Sequence, residues 1–217
     1  MNGNPRAYLI IGSGYFGSRA AKNLFQKNSN SKITVVDKSR KALQKVSRLS
    51  IQTVACDGIL YLNQFLSEGR KVDYIIPALP LHLAFEFILS QLKPWGAKRE
   101  RIPDISGLPN PVIGKTGDLY TSFANFLCSE DCPEPAQYCT ITKKRRPNPL
   151  YKILNGLEGP FESRVIRSQQ LGLGIGGFQP EVLLDLLEDI KKKRNSDRLI
   201  LISTASRCHG VTSGLLF

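Results

Sequence analysis

The hydrophobic pattern of this chain changes period repeatedly over its first 92 residues. Residues 7–11 (AYLII) form a short apolar run, and 18–27 then place Ala20, Ala21, Leu24 and Phe25 on one helical stripe. A second apolar run covers 33–36. Residues 39–49 return to helical spacing with Ala42, Leu43, Val46 and Leu49, and 51–54 read as a third strand. Residues 60–66 read as a helix and 73–76 as a fourth strand. Pro80 then opens a helix to Leu92, since proline is tolerated in a first helical turn. Four alternations of strand and helix predict an α/β fold, a Rossmann-like doubly wound parallel sheet.

The rest of the chain is less regular. Residues 93–111 carry four prolines, a connector composition, and 111–116 add a further strand. Residues 162–171 read as a strand, 179–193 as a helix with Val182, Leu183, Leu186, Leu187 and Ile190 inward, and 198–204 as a strand. That βαβ unit makes its two strands parallel. The expected organisation is a first domain over 1–117 and a smaller C-terminal α/β region over 118–217.

The junction of the first strand and helix reads Gly12-Ser13-Gly14-Tyr15-Phe16-Gly17, and the second strand ends on Asp37, 20 residues after Gly17. Strand, glycine loop, helix, strand and acid is the order of a dinucleotide-binding βαβ unit. Gly12 allows the tight turn, Gly14 lets backbone approach a pyrophosphate, and Gly17 lets helix and strand pack closely. The helix start then offers N–H groups and a positive dipole end to the phosphates. Asp37 favours NAD over NADP, because a carboxylate repels a 2′-phosphate and bonds two ribose hydroxyls. Lys38 and Arg40 follow closely and oppose that preference.

These stretches, GSGYFGSRAAKNL, VVDKSRKAL, VACDG and VDYIIPAL, resemble the nucleotide-binding domain of TrkA-type (RCK/KTN) potassium-uptake regulators over residues 6–92. They are similar, more loosely, to the cofactor domain of amino-acid dehydrogenases. The resemblance implies Gly12, Gly14 and Gly17 at the pyrophosphate, Asp37 at the adenosine ribose and Asp57 near the adenine. Ser13, Tyr15, Phe16, Lys38 and Pro77 complete the expected cofactor-binding set. The sequence departs from those regulators at Pro77-Ala78-Leu79-Pro80 and again after 117, where a cysteine-containing region replaces their ligand-sensing module.

Charge adds one question. The formal net charge is +12 and the pI about 9.6, so nucleic acid is a class to weigh. The basic residues fall in separate places, among them Lys143-Lys144-Arg145-Arg146 and 191–194, without interleaved aromatic residues for base stacking. A solvated face, or attraction of an anionic ligand, explains them better. No stretch has a signal-peptide pattern, and the apolar run 74–89 contains Pro77, Pro80, His82 and Glu86, too interrupted to span a bilayer. A cytoplasmic protein is expected, with a homodimer left open.

Two features carry candidate chemistry beyond the dinucleotide loop. His82 follows the fourth strand, at the sheet edge that faces the cofactor crevice in such folds, and is the candidate catalytic acid or base. An ordinary i,i+4 pairing with Glu86 is the alternative. Cys128, Cys132 and Cys139 lie within twelve residues, and Cys208-His209 follow the last βαβ strand. Parallel strands deliver their following loops to one edge, so these five residues are expected to meet beside the glycine run 172–177 as ligands of Zn²⁺ or an iron–sulfur cluster. Free thiols, with Cys56 as packing, are the alternative. The sequence thus reads as an NAD(H)-binding oxidoreductase acting on an unidentified small molecule. A non-catalytic NAD(H) or redox sensor acting through a protein partner is the second reading.

Overall fold

The computed structural model describes residues 4–146 and 148–217. The first unit runs β1 (Ala7–Ile11), α1 (Tyr15–Lys27), β2 (Lys32–Asp37), α2 (Arg40–Leu43), β3 (Gln52–Ala55), α3 (Gly58–Ser67), β4 (Tyr74–Pro77) and α4 (Leu83–Leu92). Its four strands are parallel in the order β3-β2-β1-β4. The two-residue alternation of β1 explains why both faces are covered. Leu9 and Ile11 pack with Tyr61, Leu62 and Phe65 of α3 and with α4, whereas Tyr8 and Ile10 pack with Ala20, Ala21 and Leu24 of α1. This is the expected doubly wound arrangement.

Residues 39–49 are less helical than their spacing predicts. The α-helix is one turn long and passes into a 3-10 turn at Gln44–Val46. Ser39 caps the start by accepting the Ala42 amide, and the Ser47 hydroxyl donates to the Gln44 carbonyl, a local bond that competes with helix continuation. Leu43 and Val46 are buried all the same.

The second unit contains β5 (Lys98–Glu100), β6 (Val112–Ile113), β7 (Leu119–Ser122), α5 (Leu150–Asn155), β8 (Phe161–Arg167), β9 (Gln169–Gly172), β10 (Ile175–Gly177), α6 (Pro180–Lys191), β11 (Leu199–Ala205) and β12 (His209–Leu216). A mixed sheet has the order β6-β7-β12-β11-β8, with β5 also on β12. β8 and β11 are parallel, joined through α6, as the βαβ reading requires. The expected strand 162–171 is two strands: the chain turns at Ser168, and β9 pairs back with β10 in a hairpin that uses the glycine run. Gly174 takes φ +65 at its tip, a conformation that glycine adopts without penalty. β5 and β6, which precede residue 117, also join this sheet.

The units meet along β4. Ile75 and Phe178 exchange both backbone hydrogen bonds, at 2.8 and 3.0 Å, so the chain after β10 closes the edge of the parallel sheet. One core runs through the joint, from Leu9, Ile11 and Ile75 through Phe178 to Leu183, Leu187 and Ile190 of α6 and Ile200 and Ile202 of β11. No helix among the described residues is long and apolar enough to cross a membrane.

A shared core makes the two units unfold together. Urea unfolding followed by Trp95 fluorescence and by circular dichroism should give one coincident transition. Phe178→Ala, which empties a fully buried site at the joint, should lower stability by about 3–5 kcal/mol without splitting that transition.

Candidate functional site: a dinucleotide loop beside a cysteine-lined cavity

The three loop glycines have separable reasons. Gly12 sits at φ +106, and a Cβ there would stand 2.5 Å from the Ala78 carbonyl oxygen. A Cβ on Gly17 would stand 1.9 Å from the Gly12 carbonyl oxygen, so helix and loop touch through it. Gly14 is different: nothing lies within 4 Å of a Cβ placed on it. Two glycines are needed by the fold, and the third borders open space of the kind a pyrophosphate needs. α1 starts at Tyr15 with no side-chain cap from Gly14, which leaves its first-turn N–H groups available to an anion.

Asp37 ends β2 beside this loop. One carboxylate oxygen accepts the Ser13 amide and the other the Ser39 amide, each at 2.7 Å, so the acid fixes the loop. Lys38 is exposed next to it. Asp57 accepts the Ile59 and Leu60 amides at 2.9 and 3.1 Å, an N-cap of α3. Pro77 pairs with Ile11 at the strand ends. Tyr15 and Phe16 are large apolar side chains yet 57% and 66% exposed at the loop. The donor set and the open face at Gly14 fit a dinucleotide.

From α1 the chain reaches a cavity of about 580 Å³. Phe16 and Arg19 form part of its wall, Gln170 and Gly174 of the hairpin another part, and residues of the loop 126–141 with Arg146, Ser206, Cys208 and His209 a third. Arg19 pairs with Asp131 and Glu130, and the Tyr15 hydroxyl donates to Glu130 at 2.5 Å, so the cysteine loop is docked on the first turns of the glycine-loop helix. Cys128, Cys132, Cys139, Cys208 and His209 all line this one cavity. Convergence of the five was expected from the shared edge of β8 and β11, and they do meet there. Among the described residues, however, no three His, Cys, Asp or Glu side chains are grouped closely enough to hold a metal ion.

The thiols sit in unlike surroundings. The hydroxyl and amide of Thr142 hydrogen-bond Cys139 and bring its thiol down to about 7. Burial pushes Cys208 up to about 11 against the opposing pull of Arg146, whose guanidinium contacts the sulfur. Burial, then the nearby Cys132 and Cys139, also raises Cys128. His209 places Nε2 3.7 Å from the Cys128 sulfur and Nδ1 2.9 Å from the Ser122 hydroxyl, with burial lowering its pKa. Arg146 was legible only as one member of a basic run that read as solvated; the loop turns it inward. Cys56 lies apart, packed against the first unit's core.

His82 is not at the cavity, which corrects its expected role. It is 2% exposed, with Nδ1 2.8 Å from the Ser213 hydroxyl and Nε2 2.9 Å from the Thr204 hydroxyl. Ser213 gives its proton to the buried Asp118, so it accepts from His82 Nδ1–H, and Thr204 donates to Nε2. Burial lowers the imidazole to about 3, outweighing the attraction of Asp118. Its partner is not Glu86, which instead pairs with Arg99, as does Asp118. A neutral imidazole here clamps α4 to β11 and β12. The local pattern carries no sign of this, because Thr204 and Ser213 lie 122 and 131 residues away.

Residues 84–217 match a protein family described as "Uncharacterized protein, C-terminal domain". The chain belongs to that family. Residues 8–60 match the TrkA-N domain, in agreement with the glycine loop and with the parallel strands built around it. A protein of Archaeoglobus fulgidus described as "Uncharacterized protein" is 28% identical over 95% of this chain and 98% of its own length. The similarity to that relative therefore spans both units of this chain.

Two outcomes follow from this geometry. Gly17→Ala should cost about 1–3 kcal/mol through its collision with Gly12, whereas Gly14→Ala should leave the unfolding midpoint nearly unchanged. His82 resists protonation when folded and takes a proton near 6.5 when unfolded. Stability is therefore full above about pH 6.5 and falls as pH drops toward 3, by at most about 1.4 kcal/mol per pH unit from this group. In an NMR titration the His82 ring should not titrate between pH 8 and 5. A midpoint near 6.5 would contradict the buried neutral ring.

Proposed function

We propose that this protein binds NAD(H) across the Gly12–Gly17 loop and acts as an oxidoreductase whose working end is the cysteine-lined cavity. The observation that carries this is the shared wall: Phe16 and Arg19 belong both to the phosphate-facing helix and to the cavity. A dinucleotide seated by its phosphates at one end of α1 would extend its reactive portion toward side chains held by the same helix. The bound nicotinamide would supply hydride transfer. Arg146 on the cavity wall would attract an anionic ligand, which also gives the basic composition a local use. Five free cysteines suit a reducing, cytoplasmic setting.

A second reading is favoured by the burial of His82, which removes the proton-transfer group expected next to the nicotinamide. In that reading the chain is an NAD(H) or redox sensor: dinucleotide occupancy shifts the Glu130–Asp131 loop docked on α1, and a protein partner or a second copy reads the change.

Binding, cofactor choice and catalysis are separately testable. NADH titrated by fluorescence should bind wild type and lose at least about tenfold in affinity with Gly14→Val, which fills the open face at the pyrophosphate. Equal binding would overturn the loop assignment. NADH should bind more tightly than NADPH, and Asp37→Ala should narrow the gap by removing both ribose acceptor and repulsion. Hydride exchange from labelled NADH to carbonyl or imine compounds would support the oxidoreductase. No exchange, joined to a dinucleotide-dependent change in oligomeric state, would support the sensor.

A further inference from the structure

Four of the five cysteines border one space, and dinucleotide binding leaves their sulfurs unused. We infer that Cys128, Cys132, Cys139 and Cys208 hold an iron–sulfur cluster. All four line the cavity of about 580 Å³, which has room for an inorganic core between them. Around a single zinc, with Zn–S bonds near 2.3 Å, tetrahedral sulfurs stand about 3.8 Å apart. The described residues contain no group of three ligands set for one ion, although the sulfurs share a wall. A cluster instead takes its thiolates at several irons, so four thiols lining one cavity suit it better than a single ion.

The loop geometry points the same way. Cys139 sits in a tight turn in which its amide bonds the Lys144 carbonyl, its carbonyl accepts the Lys143 amide, and Lys143 is left-handed at φ 58. That turn aims the Thr142 amide at the Cys139 sulfur, 3.5 Å away. Hydrogen bonds of this kind to cluster sulfurs tune a bound centre. The Arg146 guanidinium lies on the Cys208 sulfur, a countercharge for an anionic tetrathiolate core. The nearby acids are already engaged: Glu134 accepts the Arg207 amide, and Glu130 the Tyr15 hydroxyl. His209 stands beside Cys128 as a hydrogen-bonding neighbour rather than a ligand. None of the four cysteines belongs to the dinucleotide loop, so the inference goes beyond the proposed dinucleotide binding while sharing its cavity.

The test is composition and spectrum of the whole chain purified without oxygen. Iron and acid-labile sulfide should be present in equal amounts, at least about two of each per chain, with a paramagnetic signal after oxidation or one-electron reduction. Zinc without sulfide would overturn the inference. So would an absence of bound iron after reconstitution with ferrous iron and sulfide. Cys132→Ala should lose most of the iron, and Cys56→Ala, outside the cavity, should keep it. If Cys132→Ala does not fold, the wild-type iron and sulfide content decides alone. Gly14→Val should retain the full cluster, so loss of NADH binding and loss of iron report on the two readings independently.

Discussion

The pairing of Ile75 with Phe178 is the constraint on which the rest depends. A four-stranded parallel sheet ending at β4 would leave an open row of backbone donors and acceptors, a liability that folded proteins cover. Here the cover is a segment about a hundred residues further on, and it brings the β9–β10 hairpin with it. The hairpin supplies one wall of the cavity, and the cysteine loop packs on it: the Gly174 amide donates to the Cys132 carbonyl, as does the Gln170 side-chain amide. One segment therefore closes the sheet and walls the cavity.

A second set of contacts makes the joint rigid from the far side. His82 at the start of α4 reaches Thr204 and Ser213 on adjacent strands of the mixed sheet, and Ser213 continues to Asp118 and its Arg99 partner. Burial alone would raise the Asp118 carboxyl, but hydrogen bonds from Ser213, Thr116 and Arg99 hold it below its usual range, so it stays ionised inside the protein. Such networks favour one arrangement because each partner left alone would be buried without compensation. α4 is thereby fixed to the mixed sheet.

The arrangement makes the dinucleotide loop and the cysteine cavity neighbours through α1. Tyr15 and Arg19 touch the acidic residues of the cysteine loop, while Gly14, one residue earlier, faces open space. A ligand at the loop and a change at the thiols would act on the same helix turn. The TrkA-N match and the family of the C-terminal domain each describe one side of that turn, and the structure adds the contact between them.

The sequence by itself determined the first unit almost completely, because its signals are local. Apolar runs, helical spacing and glycines at Gly12, Gly14 and Gly17 act over a few residues, and a parallel βαβ order leaves few ways to combine them. The same logic placed β8 parallel to β11 and so brought Cys208 and His209 to the edge where Cys128, Cys132 and Cys139 gather. What escaped was set by distance. β5 lies in a proline-marked connector and β12 carries two glycines, so neither has a strand pattern of its own; each becomes a strand by pairing with an edge already built. Arg146 reads as surface until the loop folds it onto a sulfur, and His82 reads as catalytic until two distant hydroxyls bond its ring. Burial and hydrogen-bond partners belong to the packed chain, and only tertiary structure could decide them.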